Sequence, residues 1–296
     1  MPILTLIAAD SLESGIISEA CDRLAAHSCV SGEVDWLAPG KAIDIFFDGA
    51  LAHARTAVAD LEDRFDIVVQ NEDQRRKMLL VSDMDSTMIT VECIDELADF
   101  AGIKPQIAAI TERAMSGELD FAEALKARVA LLAGLDESMI EQCLRERVRP
   151  MPGAETLLRT MTAWGAHAVL VSGGFTSFTG PVAAMLGFAE VHANVLEIKN
   201  GRLTGALAAD IVDAATKRQV LRSAADTLGL HLQSALAVGD GANDMPMIAE
   251  AVSSGGLGVG YHPRPQLAAA ANFSVRHNDL TALLFAQGIK PDAWIH

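Results

Sequence analysis

The 296-residue chain has no apolar run approaching the roughly 18 residues that a membrane span needs. Its apolar start, Met1 to Ile7, is short, carries no basic stretch and soon meets Asp10, so it does not read as a secretory signal. Positive charge is scarce: 23 Lys+Arg stand against 39 Asp+Glu, a formal net charge of −16. That balance argues against nucleic acid or an anionic membrane surface as the main partner, because either requires a basic face to replace released counterions. The four cysteines, Cys21, Cys29, Cys93 and Cys143, fall at irregular intervals with no C-x-x-C. Reduced thiols in a cytoplasmic protein are expected, not a disulfide or zinc framework. There is no G-x-x-x-x-G-K-[ST], and Gly255-Gly256-Leu257-Gly258-Val259-Gly260 does not fit G-x-G-x-x-G, so a Walker-type nucleotide site is not supported. Repeats and low-complexity tracts are absent apart from alanine enrichment. What is present is a globular composition, half apolar and 21% charged, with a length that suggests about two domains.

Hydrophobic patterning divides the chain. Residues 3–9 read as a strand and 15–27 as a helix with Ile16, Ile17, Ala20 and Leu24 on one side. Strand-like stretches at 34–37 and 42–47 are separated by a Pro39-Gly40 turn, and a helix at 50–62 and a strand at 65–70 follow. The order is βαββαβ. The polar run Asn71 to Lys77 then reads as a linker. Beyond it, Met78 to Ser82, Ala168 to Val171 and Ala235 to Val238 are continuous apolar runs, as expected of strands buried on both faces of a parallel sheet. Each ends in polar or glycine-rich residues, and helices are expected at 154–163, 216–228 and 245–251. Such sheets bind ligands beyond the carboxyl ends of their strands, so the three polar clusters are expected to converge. Residues 91–148 exceed what a crossover needs and read as a helical insertion with breaks at Gly102, Gly117 and Gly134.

The clusters carry the chemistry. Asp83 and Asp85 lie two residues apart after the first apolar strand, where extended backbone puts both on one face. Asp240 and Asp244 end another strand. Several carboxylates in one crevice suit a hard divalent cation such as Mg²⁺, although surface acids and a helix N-cap would give the same pattern. Ser172-Gly173-Gly174 offers a hydroxyl and unobstructed amides for phosphate oxygens, or an ordinary turn. On a helix covering 119–133, Arg128 falls within the stripe formed by Phe121, Leu125 and Leu132. It either snorkels to the rim or faces the cavity to hold a substrate carboxylate. Glu92 is either a first-turn glutamate favoured by the helix dipole or a negative group at the cap entrance.

At these residues the sequence resembles the haloacid dehalogenase (HAD) superfamily. Asp83-Met84-Asp85-Ser86-Thr87, Ser172, Lys217 and Gly239-Asp240-Gly241-Ala242-Asn243-Asp244 occur in the order of its four motifs. Val91 to Glu96, Met115, Phe121, Arg128 to Leu132 and Val171 to Phe175 are similar to the substrate-binding segments of its phosphoserine phosphatases. The resemblance implies an α/β fold: a doubly wound Rossmann-like core over 76–90 and 150–290, a helical cap over 91–149 and an ACT-like N-terminal domain over 1–72. It implies Mg²⁺-dependent hydrolysis of O-phospho-L-serine to serine and phosphate through an aspartyl-phosphate. Asp83 would be the nucleophile and Asp85 the general acid–base. The metal would be held by Asp83, the Asp85 carbonyl and Asp240, with Asp244 in support. Ser172, Gly173, Gly174, Lys217 and Asn243 would bind the phosphoryl group. Glu92 would take the ammonium and Arg128 the carboxylate, with Met115 and Phe121 closing the pocket. A homodimer is compatible with this reading. The alternatives are a phosphomonoesterase or phosphotransferase for another small phosphorylated metabolite, or a phosphoacceptor governed by an N-terminal serine sensor.

Overall fold

The computed structural model describes residues 1–115 and 118–296, the Met115 side chain excepted. The N-terminal elements run β1 (Pro2–Ala8), α1 (Ser14–Ala26), β2 (Val30–Ala38), β3 (Ala42–Asp48), α2 (Leu51–Val58) and β4 (Phe65–Asn71), in the βαββαβ order. β1 pairs antiparallel with both β3 and β4. The pleat sends alternate residues to opposite faces. Leu4 and Leu6 pack with Leu24 of α1 and Ala54 of α2, whereas Ile7 joins the main core on the other side.

The remaining elements are β5 (Leu79–Ser82), α3 (Cys93–Phe100), α4 (Lys104–Met115), α5 (Phe121–Ala130), α6 (Ser138–Arg147), α7 (Ala154–Ala163), β6 (His167–Phe175), α8 (Thr176–Leu186) and β7 (Glu190–Asn194). There follow β8 (Leu196–Lys199), β9 (Arg202–Leu207), α9 (Ala214–Thr227), β10 (Ala235–Gly239), α10 (Met245–Ser253), β11 (Leu257–Tyr261), α11 (Pro265–Ala270), β12 (Phe273–Val275) and α12 (Ala282–Ala286). Strands β12-β11-β10-β5-β6-β7 lie parallel, and every residue of β5 and β10 is buried. From β5 the chain moves to β6 on one side, and β10 later returns to its other side. The strand order therefore switches between β5 and β10, where a doubly wound sheet opens its ligand crevice. The helices α3 to α6 are inserted between β5 and β6, over that crevice.

Several elements differ from the sequence-based expectation. The run 71–77 is not a slack linker. Arg75 donates to both carboxylate oxygens of Asp44, with an ion-pair distance of 2.6 Å, and Lys77 is 2% exposed. β4 also pairs antiparallel with β12 through Val68 and Phe273, so one ten-stranded sheet runs across both parts of the chain. The helix expected over 119–133 covers only Phe121–Ala130. A capping box between Asp120 and Glu123 fixes its start, and Leu131 closes it in a turn before Gly134 at φ +84°. Leu132 of the expected stripe therefore lies beyond the helix. The helix expected over 50–62 stops at Val58 and continues as a 3₁₀ turn, Ala59–Asp63. Gly102 (φ +69°) and Gly134 break the inserted helices as expected, while Gly117 lies outside the described residues. The hairpin β8–β9 had no counterpart in the patterning; it packs on α5, with Gly205 against Ala130 and Ala133.

Candidate active site

Asp83 follows β5 directly, and its amide donates to Val238 O of β10 at 3.0 Å, which locks the two strand ends together. Asp83 Oδ1 accepts from the Met84 amide at 2.7 Å and lies 2.8 Å from Lys217 Nζ. Among the described residues Asp83 Oδ2 accepts only from the Asn243 amide, at 3.4 Å, and is the freer oxygen. Lys217 rises from the first turn of α9, which Asp213 caps by accepting from the Thr216 amide. Its ammonium is buried and donates to Asp244 Oδ1 at 2.7 Å. Burial alone would lower its pKa, but Asp83 and Asp244 raise it above the ordinary lysine value, so Lys217 stays charged.

Asp244 has little capacity left. Its Oδ2 accepts from the amides of Asp240 and Gly241 at 3.2 and 3.1 Å. It braces the loop after β10, and the absence of a side chain at Gly239 leaves room for its carboxylate. Asp240 accepts from Thr87 Oγ1 at 3.4 Å. Burial, then Asp83 and Glu92, push Asp240 up to about 6. Ligand oxygens of Asp83, Asp240 and Asp244 lie within 4.8 Å of one another. This all-oxygen donor set fits a hard divalent cation, with Asp83 and Asp240 the carboxylates less engaged by other donors.

Asp85 is half-buried, with Oδ1 accepting from the Cys93 amide at 3.3 Å. Burial, then the Glu92 and Asp83 charges, hold its carboxyl well above the usual carboxylate range. Ser86 takes φ +56°, a left-handed conformation that costs a non-glycine residue about 1 kcal/mol. Its hydroxyl donates to Glu92 Oε1 at 2.7 Å. Glu92 occupies the N-cap position of α3 without capping it, and its side chain turns to Ser86 and the cavity instead. The Ser172 hydroxyl, at the end of β6, accepts from the Gly174 amide at 2.8 Å. A Cβ on Gly173 would come within 3.3 Å of the Phe121 ring, and one on Gly174 within 3.1 Å of Asp85 Oδ2. The glycines are required here by close approach and not by a left-handed backbone.

Asp83, Asp85, Glu92, Phe121, Arg128, Ser172, Gly173, Gly174, Asp240 and Asn243 line one cavity of about 390 Å³. Lys217 and Asp244 lie beneath its floor. The Met115 side chain lies outside the described residues. Arg128 is half-buried, and no carboxylate lies within ion-pair distance of it among the described residues, so its guanidinium is available to a ligand. Its side-chain hydrogen bond among the described residues is Nε to Ala124 O at 3.4 Å.

Sequence reasoning missed other residues here. Thr111 comes from the inserted helices and Arg264 from the residue before α11, while Asp95, within the Val91–Glu96 segment, also lines the cavity. Asn194 at the end of β7 is fully buried; its Nδ2 donates to Gly173 O at 2.8 Å and its Oδ1 accepts from Val212 N at 2.9 Å. It ties the Ser172–Gly174 loop to the loop before α9. No motif marks it, and only its placement at a strand end beside the crevice would have drawn attention.

The sequence profile of haloacid dehalogenase-like hydrolases matches residues 80–249. A phosphoserine phosphatase of Albidiferax ferrireducens is 46% identical over 211 residues, covering 70% of this chain and 87% of its own. One from Streptomyces coelicolor is 38% identical over 96% of this chain and 66% of its own. Among solved structures, a HAD family hydrolase from Salmonella enterica serovar Typhi superposes with a TM-score of 0.83 at 25% identity, over 99% of both chains. A probable phosphoserine phosphatase from Vibrio cholerae gives 0.77 at 31% identity, over 99% of this chain and 87% of its own. The chain therefore belongs to the haloacid dehalogenase-like hydrolase family.

Proposed function

We propose that the protein is a Mg²⁺-dependent phosphoserine phosphatase working through an aspartyl-phosphate. The observation that carries the reading is the placement, in the same cavity, of a buried, lysine-held Asp83 and an Arg128 with no carboxylate partner among the described residues. Relatives bearing that name over most of this chain support it.

Asp83 Oδ2, the freer oxygen, attacks phosphorus while the bond from phosphorus to the serine oxygen breaks. Asp85, whose carboxyl is held above the usual carboxylate range by burial and then by the Glu92 and Asp83 charges, gives a proton to that leaving oxygen. In the second half, Asp85 takes a proton from water as the water attacks the acyl-phosphate. Phosphate leaves and the Asp83 carboxylate is restored. Mg²⁺ would be held by Asp83, the Asp85 carbonyl and Asp240, and would offset the repulsion between a carboxylate and a phosphate dianion. Lys217 contributes from behind by holding Asp83 charged and oriented. The Ser172 hydroxyl, oriented by the Gly174 amide, the Gly173 amide and Asn243 receive the phosphoryl oxygens. Glu92 meets the ammonium of the substrate and Arg128 its carboxylate, while Phe121 over Gly173 closes the side towards α5.

The test is phosphate release from phosphoserine and phosphothreonine, with Mg²⁺ and with chelator. Turnover of phosphoserine that requires Mg²⁺ and exceeds that of phosphothreonine supports the assignment. Equal rates on both substrates would leave only a general phosphomonoesterase.

A further inference from the structure

A second cavity, of about 330 Å³, opens between the N-terminal elements and the core. Lys77 precedes β5, Gln233 precedes β10 and Leu257 begins β11. The cavity therefore lies at the amino ends of the parallel strands, the opposite side of the sheet from the candidate active site. Arg55 and Gln70 reach it from α2 and β4, Gln74 from the following 3₁₀ turn. Among the described residues no aspartate or glutamate lines it, in a chain whose net charge is −16. Two cations do.

Lys77 is 2% exposed. Its ammonium donates to Gln74 O and Gln233 O, each at 2.7 Å, and no carboxylate lies within ion-pair distance among the described residues. An ammonium has three donors, so one remains unused. Arg55 spends one N–H on Val69 O at 2.9 Å and meets no carboxylate among the described residues. Two cations lining one cavity without a counter-ion repel each other; Arg55 is exposed and keeps its hydration, but the buried Lys77 charge has no carboxylate partner among the described residues, which is costly. An oxyanion entering between them would remove both penalties and accept the spare N–H groups.

We propose that this cavity is a binding site for a small oxyanion, a carboxylate or phosphoryl group of a metabolite, held by Arg55 and Lys77 at the junction of the two parts of the chain. The ligand would touch β4 and the 3₁₀ turn on one side and the segment leading into β10 on the other, so its binding stabilises the junction.

The test is calorimetric titration of the full chain in chelator with malonate as the carboxylate probe and sulfate as the tetrahedral one. Arg128→Ala run in parallel under the same conditions separates any binding in the active-site crevice from binding at this cavity. Saturable binding of either probe, weakened about tenfold or more by Arg55→Gln, is the expected result. The preferred probe distinguishes the two chemistries. Phosphatase kcat/KM of Arg55→Gln without added anion should equal that of the parent. Lys77→Met should weaken binding further where it folds, and Arg55→Gln decides the matter where it does not. Absence of saturable heat with both probes, or equal affinity in Arg55→Gln, would overturn the proposal.

Discussion

Lys217 shows how one side chain can serve stability and chemistry together. It is fully enclosed between Asp83 and Asp244, so removing it strands two buried carboxylates. Breaking a buried ion pair from one side costs about 3–5 kcal/mol. Lys217→Met should lower the unfolding free energy by about 3 kcal/mol in chelator, measured by urea denaturation at neutral pH, and should abolish turnover in the fraction that folds. Arg128 predicts the opposite pattern. It has no carboxylate partner among the described residues, so Arg128→Ala should leave stability nearly unchanged. A lost charge-assisted, bidentate contact is worth about 1.5–3 kcal/mol, or roughly 10- to 150-fold. KM for phosphoserine should rise by that factor, and KM for p-nitrophenyl phosphate, which has no carboxylate, by much less. Steady-state kinetics on the two substrates check it; equal increases would remove the carboxylate-binding role.

Among the elements, the strand ends do the positioning. Asn194 on β7 holds the Gly173 carbonyl and the Val212 amide at once, fixing the phosphate loop against the segment that leads to Lys217. Asn194→Ala removes the partner of both part-buried groups, each costing up to about 1–3 kcal/mol. Phosphate inhibition should weaken and kcat/KM fall by about tenfold or more while the protein remains folded. An unchanged inhibition constant for inorganic phosphate would show that the loop holds its shape without Asn194. The clusters at 83–87, 172–174 and 240–244 could be read from sequence because each follows a continuous apolar strand, and parallel strands deliver their carboxyl ends to one crevice. Asn194 could not, since a lone polar residue on an edge strand has no periodic signal and its two partners are distant in the chain. The same holds for Arg75 and Lys77. Their run is polar enough to read as a linker, and only tertiary contacts with Asp44, Gln74 and Gln233 reveal them as anchored. The extent of α5 was overestimated because hydrophobic spacing continues to Leu132, while the Asp120–Glu123 box and Gly134 set the boundaries.

Across the whole molecule, the junction between the parts carries its own pH signature. Burial lowers the Lys77 pKa from 10.5 to about 8. Between those values the unfolded chain binds more protons than the folded one, so stability rises with pH there. The contribution is fully present above the unfolded value and is lost as pH falls through about 8, with an upper limit of about 3 kcal/mol. Wild type should therefore gain stability relative to Lys77→Met between pH 8 and 10, read from paired denaturation curves. A constant difference across that range would mean that the two carbonyl contacts hold the ammonium charged.

Charge balance also governs ligand entry at the candidate site. An acidic molecule must admit a dianion to a cavity lined by Asp83, Asp85, Glu92, Asp95 and Asp240, with Arg128 and Arg264 as the only cations in its wall among the described residues. Unit charges 4 Å apart repel by about 4 kcal/mol at an effective dielectric near 20, and Lys217 beneath the floor is already committed to two carboxylates. Burial and the neighbouring Glu92 and Asp83 charges raise the Asp85 pKa, which favours its neutral form and eases part of this repulsion. In the proposed reaction the divalent cation would offset the remainder. The phosphonate isostere of phosphoserine cannot be hydrolysed, so its affinity can be compared with and without metal. Binding in chelator should be weaker than with Mg²⁺ by about 100-fold or more, and the difference should shrink at high salt, which screens the partly exposed carboxylates. Equal affinity in the two conditions would mean that Arg128, Ser172 and the glycine amides suffice to hold the anion, and that the acidic cluster serves only the chemical step.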